Sequence, residues 1–409
     1  MMMPTTRTCS TSAASASAAA SASSSSSSPY VRTHLLNQAP YTPIEPFDVL
    51  SAKLGREPKD IVKLDANENP YGPPPEVSEA LSKLSFPEIY PDPECRRLRA
   101  LLAEEAGVPP YNVLVGCGAD ELIDLLIRVV MEPGKDTLVD CPPTFGMYSF
   151  DAEVHGCGVH TLPRTPVDDD GTGLPSFAVD VDAVNALLDD ASKNIKMVFL
   201  ACPNNPDGAM LSDGDLLSVL AAARRNNAVV VLDEAYIEFA GIPTRAPWCL
   251  EHDNLCVLRT FSKRAGLAGM RVGYGIFPDN LAEFLWRCKQ PYNVSVASET
   301  AAVAALSNPE YLEDVKQKLL SEKSRMYELL RDEPFASSLQ PHSSAANFIL
   351  CKVLSPMGGK AIKDQLMTEH GIMVRHYSTK LLDNYIRISV GTPQHTDRLL
   401  DGLRAVLSS

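Results

Sequence analysis

The sequence predicts an α/β protein: a large domain built on a mostly parallel sheet covered by helices, followed by a smaller α/β domain. Three observations carry this. Between about residues 113 and 277, short apolar strands alternate with segments of helical period, the pattern of strands buried on both faces. Five of those strands run into GCGADE, CPPTFG, CPNNPDG, DEAY and TFSK, all polar, glycine-containing or ionisable, and ligands of such sheets bind beyond the carboxyl ends of the strands. Beyond Pro291 the pattern changes to one long helix followed by three strands and two helices.

Taken in order, residues 1–28 are rich in Ser, Ala and Thr and contain no acid; the first carboxylate is Glu45. They lack the apolar centre of a secretory signal and the roughly 18 apolar residues of a membrane span. Their makeup is that of an organelle transit peptide, and abundant Ser with scarce Arg favours a chloroplast; a low-complexity tail without an address is the alternative. Residues 29–71 are an extended lead-in broken by Pro40, Pro43 and Pro46. It runs into the loop DANENPYGPPP at 65–75, where Asn, Pro and Gly dominate.

The large domain is expected over 72–292. FPEIYPDPECRRLRALLAEEAG at 86–107 turns from loop into helix, and VLVG at 113–116 is a strand. Leu122, Ile123, Leu125, Leu126, Val129 and Val130 make a helical stripe that Pro133 and Gly134 end. TLVD at 137–140 is a strand and a helix starts near 145. KMVFLA at 196–201 and VVVLDE at 229–234 are strands around a helix at 212–226, and NLCVLRT and RVGYGIF complete the series. The small domain, 293–409, holds a helix at 309–332, strands in ANFILCKV, IMVRHY and NYIRISVG, and helices near 358–370 and 395–407. The lead-in is expected to join it.

Composition is ordinary for a globular chain, with 45% hydrophobic and 22% charged residues. The formal charge of −14 should repel nucleic acid and anionic membrane. Removing residues 1–28 takes away one charged group, Arg7. An anionic ligand must therefore be held by a local positive cluster, which makes isolated arginines in structured segments informative. The ten cysteines form no C-x-x-C pair and lie within apparent strands and helices, as buried thiols in a reducing compartment do. His155, Cys157 and His160 have a spacing that could suit a metal, but no second group lies near in sequence; a strand-edge cluster is the simpler account and no metal is expected. GCGADE lacks the third glycine of a dinucleotide-binding fingerprint.

The chemistry centres on TFSKRAGLAGMRVGYG at 260–275. Lys263 follows two hydroxyl residues and precedes Arg271 by eight places, with mostly small residues between. A lysine that bonds to a carbonyl needs a particular setting, and pyridoxal phosphate (PLP) is the leading cofactor held that way. Its phosphate needs donors: Thr260, Ser262 and the Arg271 fork supply them, together with the free N–H groups of a helix opened by Gly118 and Ala119. Asp120 and Glu121 at that start are equally well explained as first-turn carboxylates. Asp233 ends the apolar strand VVVLD, where its carboxylate can partner a pyridinium. Tyr236 and Asn205 can reach the cofactor's 3′-oxygen, and Phe145 can stack on its ring.

These residues resemble the fold-type I PLP-dependent aminotransferases, because NPDG, DEAY, SK and the later arginine occur in that superfamily's order and spacing. DANENPYGPPP, YPDPE, GCGADELIDL, CPPTFGMY, DEAYIEF and YIRISVG look most like its histidinol-phosphate aminotransferase family, over roughly residues 30–409 and in the plant plastid form. The resemblance implies a seven-stranded large-domain sheet. It implies Lys263 as the residue that holds PLP and moves the proton, and Asp233 as the pyridine-nitrogen partner. Asn205 and Tyr236 become the 3′-oxygen ligands, and Ala119, Asp120, Thr260, Ser262 and Arg271 the phosphate cup. Tyr90 matches a tyrosine that reaches the phosphate from a neighbouring subunit, which implies a homodimer with shared sites.

The resemblance also implies Arg387 and Arg375 at the substrate's anionic end, with Asn67 and Tyr41 on the substrate side. In YIRISV, Ile386, Ile388 and Val390 alternate with Tyr385, Arg387 and Ser389, so Arg387 leaves the apolar face of its strand. Phe145 and Asp207 depart from the tyrosine and threonine common in the family. The implied reaction is ping-pong transamination of histidinol phosphate and imidazole-acetol phosphate with 2-oxoglutarate and glutamate. Rival expectations are an aminotransferase of aromatic or aliphatic 2-oxo acids, a PLP-dependent decarboxylase of a phosphorylated amino acid, and a non-catalytic binding protein.

Overall fold

The computed structural model describes residues 28–41 and 43–408. Residues 28–40 belong to a unit of their own, with one 3-10 turn at Thr33–Leu35. Tyr41–Ser409 make up the other unit. The segment 1–28, read from the sequence as a transit peptide, lies, apart from Ser28, outside the described residues.

Strand β1 (Val62–Leu64) comes from the lead-in. β2 (Val113–Gly116), β3 (Thr137–Asp140) and β4 (Gly158–Thr161) follow, then the hairpin of β5 (Thr165–Val167) and β6 (Ser176–Ala178). After them come β7 (Ile195–Ala201), β8 (Val229–Asp233), β9 (Leu255–Thr260) and β10 (Gly273–Ile276). The C-terminal part adds β11 (Leu339–Pro341), β12 (Phe348–Val353), β13 (Ile372–His376) and β14 (Tyr385–Ser389).

A seven-stranded sheet has the order β2-β10-β9-β8-β7-β3-β4. Its strands pair in parallel except β10, which runs antiparallel to β2 and β9. RVGYGIF therefore reverses the series it seems to continue in the sequence. The connection from Thr260 to Gly273 holds the Lys263 turn and a short 3-10 helix, Ala268–Met270, but no α-helix, and Gly273 pairs directly with Thr260. A parallel return would need a full crossover element.

Alternation along the central strands divides their side chains between two cores. Val198, Leu200, Val230, Leu232 and Val257 pack with Leu216, Val219 and Leu220 of the helix Asp213–Arg225. Met197, Phe199, Val229, Val231, Cys256 and Leu258 pack with Leu122, Ile123, Leu125 and Leu126 of the helix Gly118–Val130. Each such side chain contributes about 1.5–3 kcal/mol when fully buried, so both faces must be apolar and the strands show no polar alternation.

The second sheet has the order β1-β13-β14-β12-β11, with β1 parallel to β13 and the rest antiparallel. The lead-in thus gives its strand to the C-terminal sheet. Ile386 and Ile388 of β14 join Val62, Leu64, Ile349 and Leu399 in a third core. No helix among the described residues is long and apolar enough to cross a membrane.

Candidate active site

The carboxyl ends of β2, β3, β7, β8 and β9 open on a cavity of about 420 Å³. Every site residue predicted from the sequence lines it except Tyr90. Tyr90 is 79% exposed and stacks on Tyr292 with ring centroids 4.6 Å apart.

One end of the cavity is built to hold an anion. Helix Gly118–Val130 starts here, and Gly118 takes φ +76°, a conformation that favours glycine. A Cβ on Gly273 would stand 2.3 Å from the Ala119 nitrogen, so only glycine lets β10 lie against this helix start. The helix presents free N–H groups and about half a positive charge. Asp120 accepts a hydrogen bond from Arg271 Nη2 at 2.8 Å, which aims the guanidinium across the mouth of the cup. Glu121 turns away: its Oε2 accepts from the Cys117 N–H and from Asn293. Thr260 Oγ1 accepts from the Ser262 N–H at 3.0 Å, so both hydroxyl residues belong to one tight turn before Lys263.

Lys263 Nζ donates to the Ala66 carbonyl at 3.3 Å and sits 5.3 Å from the Tyr236 ring centroid. Asp233, 6% exposed, shares the same cavity. Its Oδ1 accepts from the Ala235 N–H at 2.9 Å and its Oδ2 from the Tyr148 hydroxyl at 2.6 Å. Burial pushes this carboxyl above the usual range; the Tyr148 and Ala235 donors and the Lys263 charge oppose that. No cation pairs with Asp233 among the described residues. A buried carboxylate held by two donors without a counter-charge fits a pyridinium nitrogen, which would supply one.

Around Asn205 and Tyr236 the hydrogen bonds leave donors to spare. Arg387 Nη1 donates to Asn205 Oδ1 at 2.6 Å, so the Asn205 Nδ2 group is turned toward other acceptors. Asn67 Nδ2 donates to the Tyr236 hydroxyl oxygen at 3.0 Å, which leaves the phenolic proton to give. Asn67 itself is buried with φ 55°, and its Oδ1 accepts from Ser389. Its amide is therefore occupied, although it borders the cavity.

At the far end, Arg375 and Arg387 stand directly opposite each other on β13 and β14. Arg387 is 6% exposed, so the strand alternation that takes it off the apolar core puts it into the cavity rather than into solvent. Nη2 donates to the Asp65 carbonyl at 2.7 Å, while the buried Nε has no partner. Both guanidinium carbons lie within 6 Å of the Tyr377 ring centre, at 5.7 and 5.8 Å. Neither arginine has a carboxylate partner among the described residues. Lys63 ties down the loop below by pairing with Asp65 at 3.1 Å and Glu68 at 3.0 Å.

Phe145 meets the Tyr148 ring edge-on at 5.6 Å and faces the cavity. Asp207 is fully buried, holds its turn through Asn204 Nδ2 and the Ala209 N–H, and does not border the cavity. His155 Nε2 bonds Asp124 at 2.7 Å, beside edge strand β4. Sequence reasoning passed over Tyr148, Tyr377 and Ser389 as site residues. The signal for Tyr148 was present: a tyrosine beginning a helix directly after a strand-end loop needs a partner for its hydroxyl once buried.

The family model for aminotransferase class I and II matches residues 59–403. The chain therefore belongs to the class I and II aminotransferases. Within them it belongs with the histidinol-phosphate aminotransferases. The chloroplastic histidinol-phosphate aminotransferase of Nicotiana plumbaginifolia is 54% identical over 375 residues, 92% of this chain and 86% of the relative. Histidinol-phosphate aminotransferase 1, chloroplastic, of Arabidopsis thaliana is also 54% identical, over 92% and 85%. Among solved structures, the Sinorhizobium meliloti histidinol-phosphate aminotransferase in complex with pyridoxal-5′-phosphate superposes with a TM-score of 0.80 at 28% identity, covering 94% of this chain and 99% of that one. The cofactor is pyridoxal 5′-phosphate. The L-threonine-O-3-phosphate decarboxylase of Porphyromonas gingivalis, at 20% identity and a TM-score of 0.70, shares the fold.

Proposed function

We propose that this cavity transaminates L-histidinol phosphate and imidazole-acetol phosphate with 2-oxoglutarate and glutamate, a step of histidine biosynthesis. The observation that carries the substrate assignment is the pair Arg375 and Arg387. Like charges directly opposite on neighbouring strands repel, and burial of Arg387 raises that cost. A substrate anion between them removes it. A guanidinium fork accepts carboxylate or phosphate, so one site serves both substrates in turn, as a ping-pong reaction requires.

When bound, PLP supplies the carbonyl that links to amines and the ring that takes up the electron pair released at the substrate Cα. Lys263 would hold the cofactor and would be the base that moves the proton at the substrate Cα. Asp233 partners the pyridine nitrogen. Asn205 and Tyr236 donate to the 3′-oxygen, and Phe145 covers the ring. The amides of Ala119 and Asp120, with Thr260, Ser262 and Arg271, hold the phosphate. Asn67 and Tyr41 border the substrate, and Asn67 acts there through Tyr236.

The active form in this proposal is a homodimer in which Tyr90 serves the partner subunit's cofactor phosphate. The exposed ring, stacked outside its own cavity, supports that. The division into an arm at 29–71, a large domain at 72–292 and a small domain at 293–409 belongs to the same proposal, as does residence in the chloroplast. The composition of residues 1–28 and the chloroplastic names of the relatives support the latter.

Half-reaction spectra of the PLP-loaded protein with histidinol phosphate, phenylalanine and phosphothreonine test the assignment. Histidinol phosphate should convert the cofactor to its aminated form fastest. Faster conversion by phenylalanine, or loss of carbon dioxide from phosphothreonine, would overturn it.

A further inference from the structure

Tyr148 lies outside every role assigned so far. Its ring is fully buried, stacked on Phe199 at 4.5 Å and 9°, with the Phe145 ring against its face at 81°. Phe199 is on β7 and Asp233 ends β8, paired in register two residues further along, Ala201 to Asp233. The two aromatic neighbours leave the ring little freedom, and its hydroxyl meets Asp233 Oδ2 at 2.6 Å. The hydroxyl has no other partner among the described residues. Oδ1 is taken by the Ala235 N–H, so each carboxylate oxygen has one fixed donor and the plane of the group is set.

We infer that Tyr148 is a positioning residue which keeps the Asp233 carboxylate anionic and in one orientation, so that the proton it shares with the bound pyridine nitrogen stays on the nitrogen. The inference rests on Asp233 being the partner of that nitrogen. A carboxylate and a pyridine compete for one proton, and the side that is better stabilised without it gives it up. A hydroxyl donated to the carboxylate stabilises its anion and leaves the proton on the ring. Burial and the neighbouring Asp233 charge drive the Tyr148 hydroxyl well above the usual tyrosine range, so it is always the donor. The other groups facing the pair are Lys263, Asp120 in its pair with Arg271, Asp140 and Tyr236. Lys263, the one cation among them not paired to a carboxylate, is consumed in bonding the cofactor. Tyr148 is then the side-chain donor that remains on Asp233.

The test uses protein loaded with PLP labelled with ¹⁵N at the ring. In the parent protein the nitrogen resonance should lie at the pyridinium position. Tyr148→Phe, which keeps the stack on Phe199, should move it toward the neutral pyridine position and weaken PLP binding about tenfold, the loss of one hydrogen bond to a charged group. It should lower kcat more than it raises KM. Tyr148→4-aminophenylalanine, which keeps a donor, should restore the resonance at least halfway; it also serves if Tyr148→Phe does not fold.

A purely structural role would lower the melting temperature of the cofactor-free protein and leave the nitrogen resonance alone. An unmoved resonance with unchanged PLP affinity in a folded Tyr148→Phe protein overturns the inference. Asp233→Ala separates this from the underlying assignment: if that variant also keeps the pyridinium resonance, Asp233 is not the nitrogen's partner. If it loses the resonance while Tyr148→Phe does not, the inference about Tyr148 alone fails.

Discussion

Replacing Arg387 by alanine separates the shared-anion account from every alternative in which the two substrates bind differently. The side chain now gives one hydrogen bond to Asn205 Oδ1 and one to the Asp65 carbonyl, keeping Nε and its remaining N–H groups for an anion. One contact between a guanidinium and a carboxylate or phosphate is worth about 1.5–3 kcal/mol. Each half-reaction should therefore lose about 10- to 150-fold in kcat/KM. Loss of the Asn205 contact also frees that amide to rotate, and on the proposal that Asn205 serves the cofactor's 3′-oxygen this places part of the effect in kcat. Stability should move far less. The guanidinium lies 5.3 Å from the Phe348 ring centre and 5.8 Å from that of Tyr377, contacts of about 0.5–2 kcal/mol together. Against that, its removal ends the repulsion from Arg375. The melting temperature should fall by no more than about 5 °C. Single-turnover spectra with histidinol phosphate and with glutamate, measured separately, read the two halves. Loss in one half with the other within about twofold of the parent, on the scale where tenfold is about 1.4 kcal/mol, would refute the common site.

Two further outcomes follow. Mixed dimers of a Tyr90→Ala subunit with a Lys263→Ala subunit should recover one working site per dimer, although each homodimer is nearly inactive; subunits that each complete their own site would give no recovery on mixing. Asp151 is buried near Asp124 and Asp120, and burial together with those charges pushes its carboxyl up to about 7. A raised carboxyl means the folded state binds the extra proton, so this group favours folding below about pH 4 and the benefit is lost as pH rises toward 7. Asp151→Asn should therefore stabilise the protein by about 1–2 kcal/mol above pH 7 and change little at pH 4. Urea melts at both values check it, and equal effects at both would refute the cause.

Much of the site was legible in the sequence because its chemistry sits at the ends of strands. Asp233 ends an apolar run, and Lys263 and Asn205 stand three and four residues beyond the ends of theirs, at Thr260 and Ala201; such runs are read by period and length alone. Arg387 was legible through alternation, since Ile386 and Ile388 assign the opposite face to it. For Tyr148 the sequence signalled only that a buried hydroxyl would need a partner; which partner was hidden, because Asp233 stands 85 residues away. The reversal of β10 was hidden for a similar reason: a buried strand has the same composition in either direction.

The order of helices and strands, the strand-end turns that hold the reactive groups, and the types of group available are properties of neighbours along the chain, and the sequence by itself determined them. Which groups meet was decided by sheet order and register. The period-2 pattern of a strand does not encode those, since any sliding by two residues preserves it. The fold alone set Arg375 opposite Arg387, brought Asn205 to Arg387 across 182 positions, and laid Tyr148 under Asp233. The Arg375–Arg387 pair needs β13 and β14 in register, the Tyr148–Asp233 bond needs the seven-stranded sheet and its covering helix, and the Asn205–Arg387 contact exists only after the two sheets have closed around the cavity.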